Sequence, residues 1–383
     1  MTAEPAPTVR DSVLPCPAMI RRLLPLGLAL TFAGCATRVP PAPPLPSAPP
    51  PAPVPVPSVV PSGPVADLAA ARQAFAQDAA ARYGVDAARV ASVLATAQVR
   101  DPIIAAMSRP AEAKPWRDYR PLFLVPSRVE GGKAFLAAHR AQLAQVEARY
   151  GVPAEIIVAI LGVETGYGAN MGKYPVIDAL YTLGFRYPRT NAADKIAREN
   201  QREAFFRDEL AQSFAMERDA HLDVTQLLGS YAGAMGWGQF MPSSYREYAV
   251  DGDGDGKRDL FTDLDDVFPS VANYFVGRGQ WVRGRPVMVR AARAAGAQPL
   301  NPDNRDDRMY PQAQLAAMGY RPMQPVPADE PASVITLDGA NGQETWMVFR
   351  NFIAITRYNK SPLYSTAVYQ LSQEIAGHPV PGA

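Results

Sequence analysis

Apolar residues recur at intervals of three and four over most of the chain beyond residue 65. The segment 66–84 (ADLAAARQAFAQDAAARYG) shows this spacing and ends at Gly84, which is typical of a helix C-terminus. The same spacing predicts six further helices, over about 86–108, 129–150, 153–168, 191–217, 266–280 and 362–376. The chain is therefore expected to be mainly helical.

Stretches typical of β-strands are few and come late in the chain. They cover 285–290, 333–337 and 344–349, and the turn-rich segment Asp338-Gly-Ala-Asn-Gly separates the last two. This clustering predicts a small antiparallel β subdomain over about 284–350, attached to a helical body, in an α+β fold. A short tail, 377–383, follows the last helix.

The N-terminal segment has the pattern of an export signal. Residues 19–34 (MIRRLLPLGLALTFAG) carry two arginines and then an apolar run, and Cys35 follows. The run is shorter than the roughly 20 residues that a membrane-spanning helix needs. The sequence Phe-Ala-Gly-Cys ending at Cys35 resembles a bacterial lipobox, so 1–35 is interpreted as a signal peptide with Cys35 as the lipidated residue. Ordinary secretion is the alternative, and either Met1 or Met19 is the start.

Proline dominates the segment that follows this signal. Half of the 26 residues over 39–64 are proline. Such a chain cannot build a core and favours polyproline II at about 3.1 Å per residue, which makes 36–65 a stiff linker of up to roughly 80 Å. The linker would hold a folded region, 66–376, away from a membrane.

Composition excludes several functional classes. The 38 basic and 37 acidic residues nearly balance, so no nucleic-acid partner is expected. The three histidines are scattered without triad or metal spacing. Both cysteines precede the folded region, so thiol catalysis and structural zinc are not expected there.

Glu164 is the leading candidate for catalysis. Ile157, Ile160 and Leu161 precede it by seven, four and three positions and share its helix face. A carboxyl group against apolar neighbours has a raised pKa, as a glycosidase needs in its general acid. Gly166 predicts that the helix ends just beyond Glu164, at an open edge where Tyr167 would suit a sugar face. An ion-paired glutamate near a helix end is the alternative.

Two further segments carry polar and aromatic groups that suit a sugar. In 230–245 (SYAGAMGWGQFMPSSY) the small residues allow close backbone approach, and we expect Trp237, Gln239, Phe240 and Tyr245 to offer stacking faces and amide hydrogen bonds. In 356–364 (TRYNKSPLY) the tyrosines and Asn359 could line the same cleft. A tight packing turn and an ordinary loop are the respective alternatives.

These segments resemble the membrane-bound lytic murein transglycosylase B family. The resemblance rests on EIIVAILGVETGYG, YAGAMGWGQFMPSSY, SVANYF and TRYNKSPLY, which occur in the family's order within about 67–376. It implies a lysozyme-like helical core with an added helical domain and a small β subdomain. It also implies cleavage of the bond between N-acetylmuramic acid and N-acetylglucosamine without water, which leaves 1,6-anhydromuramoyl ends.

The resemblance also implies roles for individual residues. Glu164 would act first as acid and then as base, and no cofactor would be required. Ser230 and Gln239 would hold the sugar near Glu164. The glycan groove would be lined by Tyr119, Tyr274, Tyr358, Asn359 and Tyr364. The partner would be peptidoglycan glycan strands, with the protein anchored through Cys35 in the periplasm, at the inner face of the outer membrane; protein partners are unknown.

An acidic loop, 251–262 (DGDGDGKRDLFT), has the outline of an EF-hand calcium loop. Thr262 stands where the bidentate glutamate belongs, so binding should be weak. The expected ligands of a weak structural calcium ion are Asp251, Asp253, Asp255, Lys257 through its carbonyl, and Asp259. The alternative is an acidic turn between helices.

Three other functions compete with the lytic transglycosylase. One is a hydrolytic muramidase that admits water to the same site. A second is a peptidoglycan-binding scaffold without activity, and a third is a calcium-regulated interaction protein. The sequence does not reveal whether cutting is internal or from strand ends.

Overall fold

The computed structural model describes residues 68–108, 114–304 and 306–380. The expected signal peptide, its lipobox at Cys35 and the proline-rich linker lie outside the described residues. The described residues belong to the region predicted to be folded, 66–376, and to the first four residues of the predicted tail.

Helices make up most of the described residues. An additional 3-10 turn, Arg120–Leu122, follows α4. The helices are α1 (Leu68–Tyr83), α2 (Ala87–Thr96), α3 (Asp101–Met107), α4 (Trp116–Tyr119), α5 (Pro126–Ala138), α6 (Arg140–Tyr150), α7 (Ala154–Thr165), α8 (Val176–Phe185), α9 (Ile196–Ala220), α10 (Pro242–Tyr248), α11 (Leu264–Gly277), α12 (Gln312–Ala317), α13 (Arg350–Thr356) and α14 (Pro362–Ala376).

The helix α7 lies at the centre of the helical body. All its residues from Ile156 to Gly162 are buried, as expected for a helix that is apolar on every side. It packs against α5, α6, α11 and α14, while α8 and α9 pack against each other beside this group. The central position of α7 explains why a carboxyl group in its last turn loses much of its contact with water.

Two predicted helices are broken in the structure. The segment 86–108 forms α2 and α3, bent by 95°, because Pro102 suits the first turn of a new helix and not a helix interior. The segment 129–150 lies in α5 and α6, which are separated at His139, whose φ of −109° and ψ of 19° are not helical. Local spacing continues through both breaks and therefore does not reveal them.

Five of the described helices were not predicted at all: α4, α8, α10, α12 and α13. In α8 every residue from Val176 to Phe185 is buried, so the run lacks the polar face that makes helical spacing visible. The helices α4, α10, α12 and α13 have only four to seven residues each, too few for a clear period. Of the described helices, none by itself is long and apolar enough to cross a membrane; α2 and α3 meet that test only when counted together.

Four strands form an antiparallel sheet in the order β4-β3-β6-β5. They are β3 (Met288–Arg293), β4 (Tyr320–Pro322), β5 (Ser333–Gly339) and β6 (Gly342–Val348). The hairpin of β5 and β6 turns between Gly339 and Gly342, as predicted. One face of the sheet joins the main core through Ile335 and Trp346, and the other packs a second core around Val334 and Met347.

The structure also contains a second sheet that the sequence did not predict. Two residues each from β1 (Tyr174–Pro175) and β2 (Leu228–Gly229) pair antiparallel. Strands this short have no period to detect. The predicted fold class, mainly helical with small antiparallel sheets, is confirmed. Strand β3 overlaps the predicted strand 285–290 but begins three residues later, at Met288.

Candidate active site

Glu164 occupies the last turn of α7. The helix ends at Gly166, which has a φ of 60° in the left-handed region that glycine adopts readily, and the amide of Gly166 donates to the carbonyl of Gly162 at 3.2 Å. The chain turns away at this point. The side chain of Glu164 therefore lies at the end of a buried helix and lines an open cleft.

The surroundings of Glu164 favour its protonated form. Ile157, Ile160 and Leu161 are fully buried, as the sequence predicted for this helix face. Burial raises the pKa of Glu164 from 4.5 to about 7, while a hydrogen bond from the hydroxyl of Tyr364 to Oε1, at 2.5 Å, acts in the opposite direction. A substantial fraction of Glu164 is thus protonated at neutral pH.

The cleft beside Glu164 has a volume of about 360 Å³. Ser230 and Gln239, which the sequence placed near Glu164, line it together with this residue. The full lining is Glu164, Asn170, Gly172, Lys173, Tyr174, Ser230, Tyr231 and Gln239. Glu164 is the only carboxylic acid among these described lining residues.

Close backbone packing holds one wall of the cleft in place. Gly172 has a φ of 103°, and a Cβ at this position would lie 2.5 Å from the backbone nitrogen of Ser230. Only glycine satisfies both conditions without displacing the neighbouring chain. Two residues further along, Tyr174 pairs with Gly229 between β1 and β2. The loop after α7 and the start of the glycine-rich segment therefore form one wall.

The two polar side chains in the cleft are themselves held by hydrogen bonds. Nε2 of Gln239 donates to the carbonyls of Met171 at 3.1 Å and Gly236 at 3.2 Å, so its Oε1 is free of hydrogen bonds from the described residues. Oγ of Ser230 accepts from the amides of Ala232 and Ala234 at 3.3 and 3.1 Å, which leaves its hydroxyl proton for a ligand. A ligand could therefore donate a hydrogen bond to Oε1 of Gln239 and accept one from the hydroxyl of Ser230.

The tyrosines predicted to line the groove form a group behind Glu164. Tyr364 donates to Glu164, and burial together with this carboxyl group raises the pKa of both Tyr358 and Tyr364 well above the usual value. The ring of Tyr358 lies 4.7 Å from that of Tyr274, and its hydroxyl donates to the carbonyl of Gly238 at 2.8 Å. These contacts support Glu164 and the glycine-rich turn.

The two other predicted groove residues stand further from the cleft. Tyr119 is buried, with its ring 5.1 Å from that of Phe123, and it contributes to the raised pKa of Tyr364. Asn359 is half-buried and does not belong to the cleft lining, and its side chain makes no hydrogen bond with the described residues.

Four aromatic residues expected to face the sugar serve packing instead. Tyr167 donates to the carbonyl of Arg128 at 2.7 Å and lies so close to Gly132 that a Cβ there would meet its hydroxyl at 2.5 Å. Nε1 of Trp237 donates to the carbonyl of Phe261 at 3.0 Å. Phe240 and Tyr245 are buried in the main core.

The aromatic faces of the cleft come from residues that the sequence analysis missed. Tyr174 and Tyr231 line it, and Tyr231 is 40% exposed; Asn170 and Lys173 line it as well. Tyr231 belongs to the glycine-rich segment 230–245, so its position in the sequence could have predicted its place at the cleft. Lys173 and Tyr174 follow Gly172 in a stretch without periodicity, and only the pairing of β1 with β2 brings them to the cleft.

The acidic loop brings part of its predicted ligand set together. Carboxylate oxygens of Asp251, Asp253 and Asp255 lie within 4.8 Å of one another. Asp259 does not belong to this group, and its carboxylate accepts from the amides of Phe261 and Thr262 at 2.7 and 3.0 Å. Its role as a calcium ligand stays a prediction.

A second group of three aspartates lies at the same loop and shares Asp253 with the first group. Asp253 also lies within 4.8 Å of Asp263 and Asp266, measured between carboxylate oxygens. Asp266 is buried and accepts from the amide of Gly252 at 2.7 Å. The predicted carbonyl ligand Lys257 is exposed, and its amide donates to Asp255 at 2.8 Å. Carboxylate and carbonyl oxygens are the donors that calcium prefers.

Comparison with known proteins identifies the family. A family model described as a transglycosylase SLT domain matches residues 67–373. The chain belongs to this family. This SLT-domain transglycosylase is 40% identical over 305 residues to membrane-bound lytic murein transglycosylase B of Escherichia coli (strain K12), which covers 77% of the chain and 80% of that relative.

Solved structures agree with this assignment. Soluble lytic transglycosylase SltB1 from Pseudomonas aeruginosa is 39% identical, with a TM-score of 0.70, over 80% of this chain and 98% of that one. The Escherichia coli lytic transglycosylase Slt35 in complex with calcium is also 39% identical, with a TM-score of 0.69, over 80% and 92%.

A third structure contains a fragment of the cell wall. SltB3 from Pseudomonas aeruginosa in complex with NAG-NAM-pentapeptide is 33% identical, with a TM-score of 0.70, over 82% of this chain and 81% of that one. The enzyme class predicted for the SLT-domain transglycosylase, a peptidoglycan lytic transglycosylase, is confirmed by these relatives.

Proposed function

We propose that this protein cleaves the bond between N-acetylmuramic acid and N-acetylglucosamine in peptidoglycan without water, with Glu164 as its acid and then its base. The observation that carries this proposal is a half-buried glutamic acid, with a pKa of about 7, that lines the cleft. An acid near neutrality can both donate and accept a proton at the operating pH.

The reaction proceeds in two proton transfers. The carboxyl group of Glu164 first protonates the glycosidic oxygen, and the bond from this oxygen to the anomeric carbon of the muramoyl sugar breaks. The substrate's own N-acetyl group stabilises the developing cation. The ionised Glu164 then accepts the proton of the muramoyl 6-hydroxyl while that oxygen bonds to the anomeric carbon, which yields the 1,6-anhydro product and restores the acid.

The residues around Glu164 assist both transfers. The hydrogen bond from Tyr364 stabilises the ionised carboxylate between the two steps. The free Oε1 of Gln239 and the hydroxyl proton of Ser230 are available to hold the sugar. The exposed ring of Tyr231 offers a stacking face. We also propose that a glycan groove for strands longer than the cleft is lined by Tyr119, Tyr274, Tyr358 and Asn359.

A hydrolytic muramidase and an inactive scaffold are the competing functions. An ordinary glycosidase uses two carboxyl groups, whereas Glu164 is the only one among the described residues that line this cleft. Mass spectrometry of the products from purified sacculi distinguishes the three. We expect 1,6-anhydromuramoyl ends from the wild type and none from Glu164→Gln. Reducing ends without anhydro ends would establish the muramidase, and an absence of products would establish the scaffold.

The relative solved with NAG-NAM-pentapeptide supports a peptide-bearing glycan as the partner of this chain. The relative named membrane-bound lytic murein transglycosylase B supports attachment to a membrane. We propose a lipid anchor at Cys35 that holds the enzyme at the periplasmic face of the outer membrane. Membrane fractionation after labelling with a radioactive fatty acid tests this, and Cys35→Ser should abolish both labelling and membrane association.

We further propose that the acidic loop binds calcium weakly and in a structural role. Asp251, Asp253 and Asp255 supply clustered carboxylates, and the carbonyl of Lys257 is a further candidate ligand. The chemistry at Glu164 does not require the ion. Calorimetric titration with calcium tests the site; Asp253→Asn should abolish binding, because Asp253 belongs to both acidic groups. Binding that persists unchanged in this variant would contradict the proposal.

A further inference from the structure

Lys173 lines the cleft beside Glu164 and is exposed, so its positive charge is accessible to a ligand there. It is the only basic residue among the described residues that line this space. Gly172, directly before it, packs against the backbone at Ser230, and Tyr174, directly after it, pairs with Gly229. The backbone of Lys173 is therefore held on both sides, and its position at the cleft is a fixed feature of the wall.

The charge of Lys173 is not neutralised by the protein. Its ammonium group forms no ion pair or hydrogen bond with the described residues, and its nearest aromatic contact is the ring of Tyr174 at 5.9 Å. By contrast, Arg100 pairs with Asp178 and Arg246 with Asp219. Glu164 does not serve as a partner, since only burial and Tyr364 shift its pKa.

A free ammonium group in a substrate cleft suits an anionic part of the substrate. The reacting sugars are uncharged apart from the lactyl arm of the muramoyl unit. That arm ends either in its own carboxylate, where the glycan is bare, or in a peptide stem that carries carboxylates. Carboxylate and ammonium groups form charge-assisted hydrogen bonds that are stronger than neutral ones. The cleft thus has a feature that the cleavage of the sugar bond does not itself require.

We propose that Lys173 binds a carboxylate on the lactyl arm of the muramoyl unit, and so selects anionic glycan over neutral glycan. This rests on the proposed function of the same cleft. Tyr231 and Tyr174 would then receive the sugar faces, while Lys173 fixes the side on which the arm leaves the cleft. Lys173 is a specificity-determining residue and takes no part in the proton transfers.

The test compares the full-length wild type with Lys173→Gln and Lys173→Arg on two soluble substrates. One is glycan strands with peptide stems, and the other is the same strands after an amidase has removed the stems and exposed the lactyl carboxylates. We expect Lys173→Gln to raise KM about fivefold, the upper range for one partly exposed ion pair, with a much smaller change in kcat. Lys173→Arg should restore most of the affinity.

Two controls separate this role from a structural one. Binding of chitotetraose, a neutral glycan, should have the same Kd in Lys173→Gln and the wild type. Lys133→Gln removes the same charge from an exposed lysine on α5 that pairs with Glu130, outside the cleft lining, and should not raise KM. Raised salt should weaken the wild type more than Lys173→Gln, because salt screens the ion pair.

Each outcome has a defined meaning. A defect on stem-bearing strands alone supports the proposal with a stem carboxylate as the ligand, and a defect on stem-free strands alone supports it with the lactyl carboxylate. A defect on both substrates supports it with whichever carboxylate the arm carries. An unchanged KM on both substrates, or an equal loss of chitotetraose binding, overturns it. The anhydro ends of the products are measured in parallel, so a wild type that forms none would refute the proposed function separately from the role of Lys173.

Discussion

Two glutamates with similar acidity occupy opposite kinds of environment in this protein. Burial raises the pKa of both Glu164 and Glu209 to about 7. Glu209 lies in the middle of α9 and is only 3% exposed. Its oxygens accept from the amide of Ser243 at 2.9 Å and the hydroxyl of Ser243 at 2.6 Å, so it fastens the start of α10.

Glu164 differs in access rather than in acidity. It stands at the end of α7, receives one hydrogen bond from Tyr364, and lines a cleft of about 360 Å³. Glu209 does not line this cleft and is only 3% exposed. A raised pKa therefore marks a buried carboxyl group of either kind. The proposed catalytic group, Glu164, is the one that lines a cleft together with polar side chains that retain free hydrogen-bonding capacity.

The largest expected effect separates the two glutamates by activity. Glu164→Gln should lower the rate of release of anhydro products from sacculi by at least about 1,000-fold, since general acid–base catalysis accounts for factors of this size. Glu209→Gln keeps the shape and a hydrogen-bond acceptor for Ser243, and should stay within about fivefold of the wild type. An equal loss of activity in Glu164→Gln and Glu209→Gln would show that access to the cleft does not separate a catalytic glutamate from a structural one.

The second effect concerns stability and is expected from both glutamates, and Glu209 allows its own share to be measured without altering the proposed catalytic acid. Because the pKa of Glu209 is about 7 in the folded protein and 4.5 in the unfolded chain, the folded state binds more protons between these values. The free energy of unfolding should therefore fall as the pH rises from 4.5 to 7, by up to about 3 kcal/mol for this group. Urea denaturation at pH 5 and pH 8 measures the fall.

Glu209→Gln is the matched variant for that measurement. The glutamine resembles the protonated glutamic acid, so the variant should match the wild type at pH 5 and exceed its stability at pH 8. The same fall in both proteins would show that Glu209 does not remain protonated when buried.

The third effect is a displacement of the pH profile. Above a pH of about 7 the acid form of Glu164 is lost, so kcat/KM should fall tenfold for each pH unit. Tyr364→Phe removes the donor that lowers the pKa of Glu164, so the falling limb should move to higher pH, with a loss of rate of roughly tenfold at pH 6. Ser243→Ala removes a donor from Glu209 instead. If the falling limb of the pH profile moved in Ser243→Ala as well, it could not be assigned to Glu164.

The smallest effect contrasts a buried tyrosine with an exposed one near the catalytic acid. Tyr167→Phe loses a hydrogen bond to the carbonyl of Arg128 and should lower the free energy of unfolding by about 1 kcal/mol without changing KM. Tyr231→Leu should raise KM for glycan strands about threefold without this loss of stability. Thermal melting and initial rates on the same preparations measure both effects. A raised KM in Tyr167→Phe, with lower stability in Tyr231→Leu, would show that Tyr167 faces the sugar.

Local patterns were sufficient to predict Glu164 as a candidate acid and the buried apolar residues on its helix face. Ile157, Ile160 and Leu161 share a face with Glu164 because helix geometry repeats every 3.6 residues, and this relation requires no knowledge of distant chain. The end of α7 at Gly166 and the hairpin of β5 and β6 depend on equally local chemistry. The fold class and the family motifs followed from the same kind of information.

Local patterns misjudged the parts whose neighbours are remote in sequence. The spacing passes unchanged through the break at Pro102, and α8 shows no amphipathic pattern because neighbouring elements bury it on every side. The aromatic residues around Glu164 were assigned to the sugar by composition alone. Packing decided that Tyr167 faces α5, whereas Tyr231 faces the cleft.

The sequence by itself predicted Glu164 as the candidate acid and the apolar residues on its helix face, because both follow from the spacing within one helix. Only the tertiary structure decided what surrounds that acid. The hydrogen bond from Tyr364 joins residues 200 positions apart, and the pairing of β1 with β2 brings Lys173 into the cleft. Such contacts arise from the packing of whole elements, whose mutual arrangement no short segment encodes.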